Sequence, residues 1–125
     1  MTTITWHGHS CFEIAHGPHR VVIDPFLTGN PKADVDVASL PRPDAILVTH
    51  GHGDHLGDAI PLARKHGAML IAPYELARYC GDQGAPNVHA MHIGGARDFP
   101  FGRVKMVTAV HGGMVEGDDA GKFTT

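Results

Sequence analysis

Three histidines and two aspartates crowd into the run THGHGDHLGD, as His50, His52, Asp54, His55 and Asp58, with Gly51, Gly53 and Gly57 between them. Neutral imidazole and carboxylate are donors that Zn²⁺ and similar divalent ions accept, provided the ligands converge to about 2 Å from one point. In extended chain, His50 and His52 are two residues apart and project to the same side, whereas Asp54 and His55 require the chain to bend. Gly51 and Gly53 read as the residues that permit the bend, because glycine reaches backbone angles closed to other residues. Asp58 reads as the cap of a helix beginning near Leu56 or Gly57. The competing reading is a solvated polar loop. Such a loop has no need of a His-x-His-x-Asp-His order between a buried strand and a helix.

The elements that must position this loop are legible as short, mostly β-branched runs at 3–6, 11–15, 20–24, 45–49, 68–72, 88–93 and 103–110. Helices are expected from Asp58 to His66, stopped by Gly67, and from Pro73 to Cys80, closed by Gly81. Gly17 and Pro18 separate two apolar runs and predict a hairpin. Residues 25–44 contain four prolines and read as an irregular loop with at most a short helical turn.

At 125 residues, the length predicts a single domain covering 1–125. The 42% hydrophobic and 18% charged content is that of a soluble globular chain, and no apolar run approaches the roughly 20 residues of a membrane span. The first ten residues lack the pattern of a secretory signal, so the expected location is the cytoplasm. A net charge of -3 with scattered basic residues gives nucleic acid no electrostatic footing. Cys11 and Cys80 are too few for a disulfide framework and read as small core residues. Ser10 lacks the second glycine of a nucleophile elbow.

The segment THGHGDH carries the His-x-His-x-Asp-His signature of the metallo-β-lactamase superfamily. With ITWHGHSCFEI, VVIDPFLTGNP and GGARDFPFGRVKMVTAVHGG in the same order, the chain resembles the UPF0173 family of bacterial metal-dependent hydrolases from residue 1 to about 113. The resemblance implies an α/β (α+β) fold, the N-terminal half of an αββα sandwich, with a mixed sheet and helices on one face. It implies His50, His52 and His111 as ligands of a first metal, the last at the end of the strand VKMVTAV. Asp54 and His55 match ligands of a second metal, and Asp24 matches a strand-end aspartate that supports the metal loop from behind. His9 and, less directly, His7 are candidates to line the cleft. His16, His19, His66, His89 and His92 read as surface or structural histidines.

The family's pattern continues beyond this sequence, so the 1–125 domain reads as incomplete. The aspartate that bridges the two metals and the last histidine of the second site have no match, and Asp118 is not taken as the bridging ligand. One site is therefore expected to be nearly complete and the second incomplete. The implied cofactor is a divalent ion, Zn²⁺ first and Mn²⁺, Fe²⁺ or Ni²⁺ as alternatives. The implied activity is hydrolysis of an ester, lactone, amide or phosphodiester bond in a small molecule by metal-activated water, with Asp54 orienting the nucleophile. The alternative is a metal-binding but inactive half-domain. A sheet face left uncovered predicts a homo-oligomer or a missing C-terminal half, with no nucleic acid or membrane partner.

Overall fold

The computed structural model describes residues 1–116, and Asp118 lies outside them. Strands β1 (Thr2–Trp6), β2 (Phe12–His16) and β3 (His19–Ile23) form an antiparallel meander. The two-residue Gly17-Pro18 turn closes the β2–β3 hairpin on the pair His16 and His19, as the sequence predicts. From β3 onward the sheet is parallel, through β4 (Ala45–Leu47), β5 (Met69–Pro73) and β6 (Val88–Met91), with strand order following chain order. Parallel neighbours need crossovers. The loop 24–44 supplies the first, α1 (Gly53–Leu56) with α2 (Ala59–His66) the second, and α3 (Tyr74–Asp82) the third.

Register decides where chemistry collects. Trp6 pairs with Phe12, Phe12 with Ile23, and Ile23 with Leu47, so one row across four strands forms a common rim. The β1–β2 turn and the carboxyl ends of β3 and β4 leave the sheet at that rim, where ligands of open parallel sheets gather.

A parallel row of Val22, Ile46 and Leu70 points to the helical side. There it packs with Leu62 and Ala63 of α2 and Leu76, Ala77 and Cys80 of α3. Each large side chain buried this way contributes roughly 1.5–3 kcal/mol. The result is the mixed sheet with helices against one face that the resemblance implied. On the opposite face, Ile4 and Trp6 remain 66% and 57% exposed.

Several boundaries differ from expectation for physical reasons. The run 103–110 is a strand only in β8 (Gly102–Lys105), paired with β7 (Ala96–Phe99), a strand the sequence reading missed. Beyond Lys105 no described strand pairs with the chain, and Val107 and Val110 stay largely exposed. His111 thus follows an irregular segment instead of a strand end. The run 88–93 pairs only to Met91. Pro73 closes β5 and α3 continues through Gly81 to Asp82.

Candidate metal centre

Asp24 follows β3 directly and is 3% exposed, with a φ of 45° that non-glycine residues adopt at a cost of order 1–3 kcal/mol. The surroundings hold it there. Its Oδ1 accepts the Thr49 N–H at 2.8 Å, and its Oδ2 accepts the Thr49 hydroxyl at 2.7 Å and lies 2.8 Å from His55 Nδ1. A carboxylate only accepts, so His55 carries its proton on Nδ1 and keeps the Nε2 lone pair free. The same logic extends one residue further. The Thr49 hydroxyl spends its proton on Asp24, so at 2.9 Å it accepts from His50 Nδ1, leaving His50 Nε2 as a lone pair. That Nε2 is buried and has no hydrogen-bond partner.

Two groups of donors assemble around this hub. His50, His52 and His111 bring donor atoms within 4.8 Å of one another, and His9, Asp54 and His55 do the same. The His50 ring sits 4.8 Å from His52, 4.7 Å from His111 and 4.1 Å from His55, so the groups adjoin. Burial, followed by the nearby His55, lowers the pKa of His50 and keeps it neutral. In the second group, His9 Nε2 lies 2.9 Å from Asp54 Oδ2, and this bond holds the Asp54 carboxyl below its ordinary value. His9 itself has a φ of 53°. A cavity of about 360 Å³ opens beside both groups, walled by Pro73, Ile93 and Met106 and floored by His50, His55 and His111.

The loop achieves this differently from expectation. Neither Gly51 nor Gly53 has a positive φ. Gly51 is needed for close approach: its N–H donates to the Gly113 carbonyl at 3.1 Å, and a Cβ there would stand 2.9 Å from that oxygen. The bend instead comes from α1, which begins at Gly53 and carries Asp54 and His55 on one turn. Gly57 ends it at φ 44°, against the Pro25 carbonyl. Asp58 occupies the position before α2 but does not cap it with its side chain. Its carboxylate is already taken by the N–H groups of Leu27 and Thr28 and the Thr28 hydroxyl, which ties the 25–44 loop to the helix.

All of His50, His52, His55, Asp54, His111, Asp24 and His9 converge at the rim. His7 does not join them. It is 4% exposed, lies 2.7 Å from Asp34 through Nδ1, and sits beside Glu13, itself paired with Arg20. Sequence reasoning missed Thr49, whose signal was a hydroxyl directly preceding the first histidine of the motif. It also missed Val115, buried at 3%, which anchors the segment that brings in His111.

This fold and this rim of histidines define a class. The profile of the Metallo-beta-lactamase superfamily matches residues 4–123, and the chain belongs to that superfamily. Within it, the chain is similar to the UPF0173 metal-dependent hydrolases. It is 55% identical over 113 residues to one from Desulfitobacterium hafniense, covering 90% of this chain and 48% of the relative. One from Heliobacterium modesticaldum is 52% identical over 120 residues, covering 95% and 50%. The chain therefore spans about half the length of the curated relatives it matches. A metallo hydrolase from the archaeon Ignicoccus hospitalis superposes with a TM-score of 0.71 at 28% identity, over 78% of this chain and 42% of that one. A diiron β-hydroxylase from Streptomyces venezuelae, 24% identical with a TM-score of 0.63 over 78% of this chain and 22% of its own, shares the fold.

Proposed function

We propose that the chain carries the metal centre of a hydrolase that uses metal-activated water on an ester, lactone, amide or phosphodiester bond of a small molecule. The observation that carries this reading is the Nε2 lone pair of His50, buried, unpartnered, and converging with donors of His52 and His111. An unused buried acceptor costs about 1–3 kcal/mol, and three neutral imidazoles around one point fit a divalent cation with an open position. In this reading His50, His52 and His111 hold the first ion, and Asp54 and His55, joined by His9, hold the second. Zn²⁺ is the favoured ion, and Mn²⁺, Fe²⁺ and Ni²⁺ suit the same donors. Such an ion supplies acidified water and polarises the oxygen under attack.

The chain's own residues do the rest. Asp24 and Thr49 fix the tautomers of His55 and His50, presenting both lone pairs before any ligand arrives. Asp54, kept ionised by His9, accepts a hydrogen bond from the attacking water and orients it. Pro73, Ile93 and Met106 give the cavity an apolar wall beside the two groups.

The test is elemental analysis after zinc loading, then turnover of 4-nitrophenyl acetate and bis(4-nitrophenyl) phosphate with and without chelator. One to two metals per chain with chelator-sensitive turnover supports the proposal; turnover indifferent to chelator overturns it. The exposed second group and the half-length match favour a second reading, a metal-binding half-domain inactive by itself. One metal per chain and no turnover is its signature.

A further inference from the structure

We propose that the cavity beneath Trp6 is a subsite for an aromatic group bearing a negative charge, delivered next to Asp54. As a statement about substrate it rests on the hydrolase reading; as a statement about binding it does not. The cavity measures about 430 Å³ and is lined by Trp6, His9, Phe26, Asn30, Lys32 and Asp54, distinct in its walls from the apolar cavity over His50. That volume suits a small ligand.

The lining is built and held. Trp6 is 57% exposed, yet its ring is tethered, since Nε1 donates to the His9 carbonyl at 2.9 Å. His9 stands edge-on to Phe26, with centroids 5.8 Å apart at 81°. The Asn30 amide donates to the Phe26 carbonyl, and its oxygen accepts the Lys32 N–H. Gly8 backs directly onto Lys32, where a Cβ would meet the Lys32 carbonyl at 2.9 Å. The turn bearing His9 and the loop bearing Lys32 therefore seat against each other, and two aromatic rings are fixed around an open space.

Chemistry selects the ligand. A tethered indole and a phenyl ring offer stacking and edge contacts to a third ring. The Lys32 ammonium is exposed and forms no ion pair among the described residues, so the cavity holds one uncommitted cation. Asp54, shared with the second donor group through His9, marks the end where a reacting bond would lie. An arene with an attached carboxylate, phosphate or phosphonate satisfies all three features.

The test compares phenylphosphonate with methylphosphonate on the zinc-loaded protein, by calorimetry and by the emission of Trp6, the single tryptophan of the chain. Both probes carry the same head group, so methylphosphonate measures what that group binds through Lys32 and the metal without the ring. Phenylphosphonate is expected to bind about tenfold tighter and to quench Trp6 saturably. Trp6→Ala should bring the ratio of affinities close to one, and Trp6→Phe should keep most of it, which separates a lost stacking surface from a misfolded variant. Lys32→Met should weaken phenylphosphonate several-fold with metal content unchanged. Equal affinity for the two probes, or a ratio indifferent to Trp6→Ala, overturns the proposal. Failure of the hydrolase reading looks different: no ester is turned over, while the phenyl preference and the quenching persist. Where turnover is present, Trp6→Ala should raise KM for an aryl ester about tenfold with kcat little changed; a fall in kcat alone counts against the subsite.

Discussion

The two donor groups share one hub but differ in how firmly they are held. In the first, His50 is 9% exposed and oriented through Thr49, while His111 is carried by a segment locked to Gly51 and by buried Val115. In the second, only His55 rests on Asp24, whereas the side chains of His9 and Asp54 are 41% and 51% exposed and bond to each other. A ligand entering the second group must compete with that mutual bond or use the remaining atoms. Preorganised donors lose less freedom on binding. The first group is accordingly expected to bind the more tightly, and the second, next to the Trp6 cavity, to be the more adaptable.

The largest effect should come from the hub. Asp24→Ala removes the acceptor of the Thr49 N–H, the Thr49 hydroxyl and His55 Nδ1 together. Loss of such orienting partners costs about 10–100-fold in metal affinity, here at both groups, and a buried N–H left unpaired adds about 1–3 kcal/mol of destabilisation. Thr49→Val keeps the Asp24–His55 contact and should weaken the first group alone. Competition with a chromogenic chelator resolves the two steps, and urea melts give the stability. Equal weakening of both steps in Thr49→Val would break the distinction between the groups.

How much of this was written in the sequence depends on how local each cause is. The β2–β3 hairpin, the order of strands and helices and the crowding of His50, His52, Asp54 and His55 follow from short apolar runs, turn residues and one dense motif, and all are local signals. The short helix α1 was hidden because its four residues read as part of the ligand loop. The cap assigned to Asp58 failed because its carboxylate is claimed by Leu27 and Thr28, some thirty positions earlier in the chain. The strand expected at 103–110 finds β7 as a partner only through Lys105, and its last residues before His111 have propensity but no strand to pair with among the described residues. His7 and His9 look alike in WHGHS; only the fold turns His7 inward to Asp34 and His9 outward to Asp54.

A smaller effect separates the two glycines of the motif. Gly51→Ala would push a Cβ to 2.9 Å from the Gly113 carbonyl and a Val115 methyl, so the segment carrying His111 has to move. Such overpacking costs about 1–3 kcal/mol, and metal affinity should fall at the first group. Gly53→Ala meets only the Glu116 carboxylate at 3.0 Å, the far end of a flexible side chain, and should change stability by no more than about 0.5 kcal/mol. Thermal melts with and without zinc read both. A Gly51→Ala protein with unchanged zinc affinity would show that His111 is not held by this contact.

The smallest effect probes the second group through its support. Cys11 lies in the turn that carries His9, and Cys80 lies on the inner face of α3; both are fully buried. Burial pushes both thiols from 9.0 to about 12, with the carboxylates of Asp24 and Asp34 adding to the rise at Cys11. The folded chain keeps protons that the unfolded chain releases near pH 9. This contribution to stability is therefore complete below pH 9 and is lost as pH climbs from about 9 towards about 12. At pH 8 neither thiol reacts without a local opening. With iodoacetamide and mass spectrometry, Cys11 should be alkylated several-fold faster than Cys80 in metal-free protein. Loading zinc should slow Cys11 several-fold and leave Cys80 unchanged, because an ion held by His9, Asp54 and His55 clamps the turn. A Cys11 rate that ignores zinc would remove His9 from the metal and leave it as a partner of Asp54 alone.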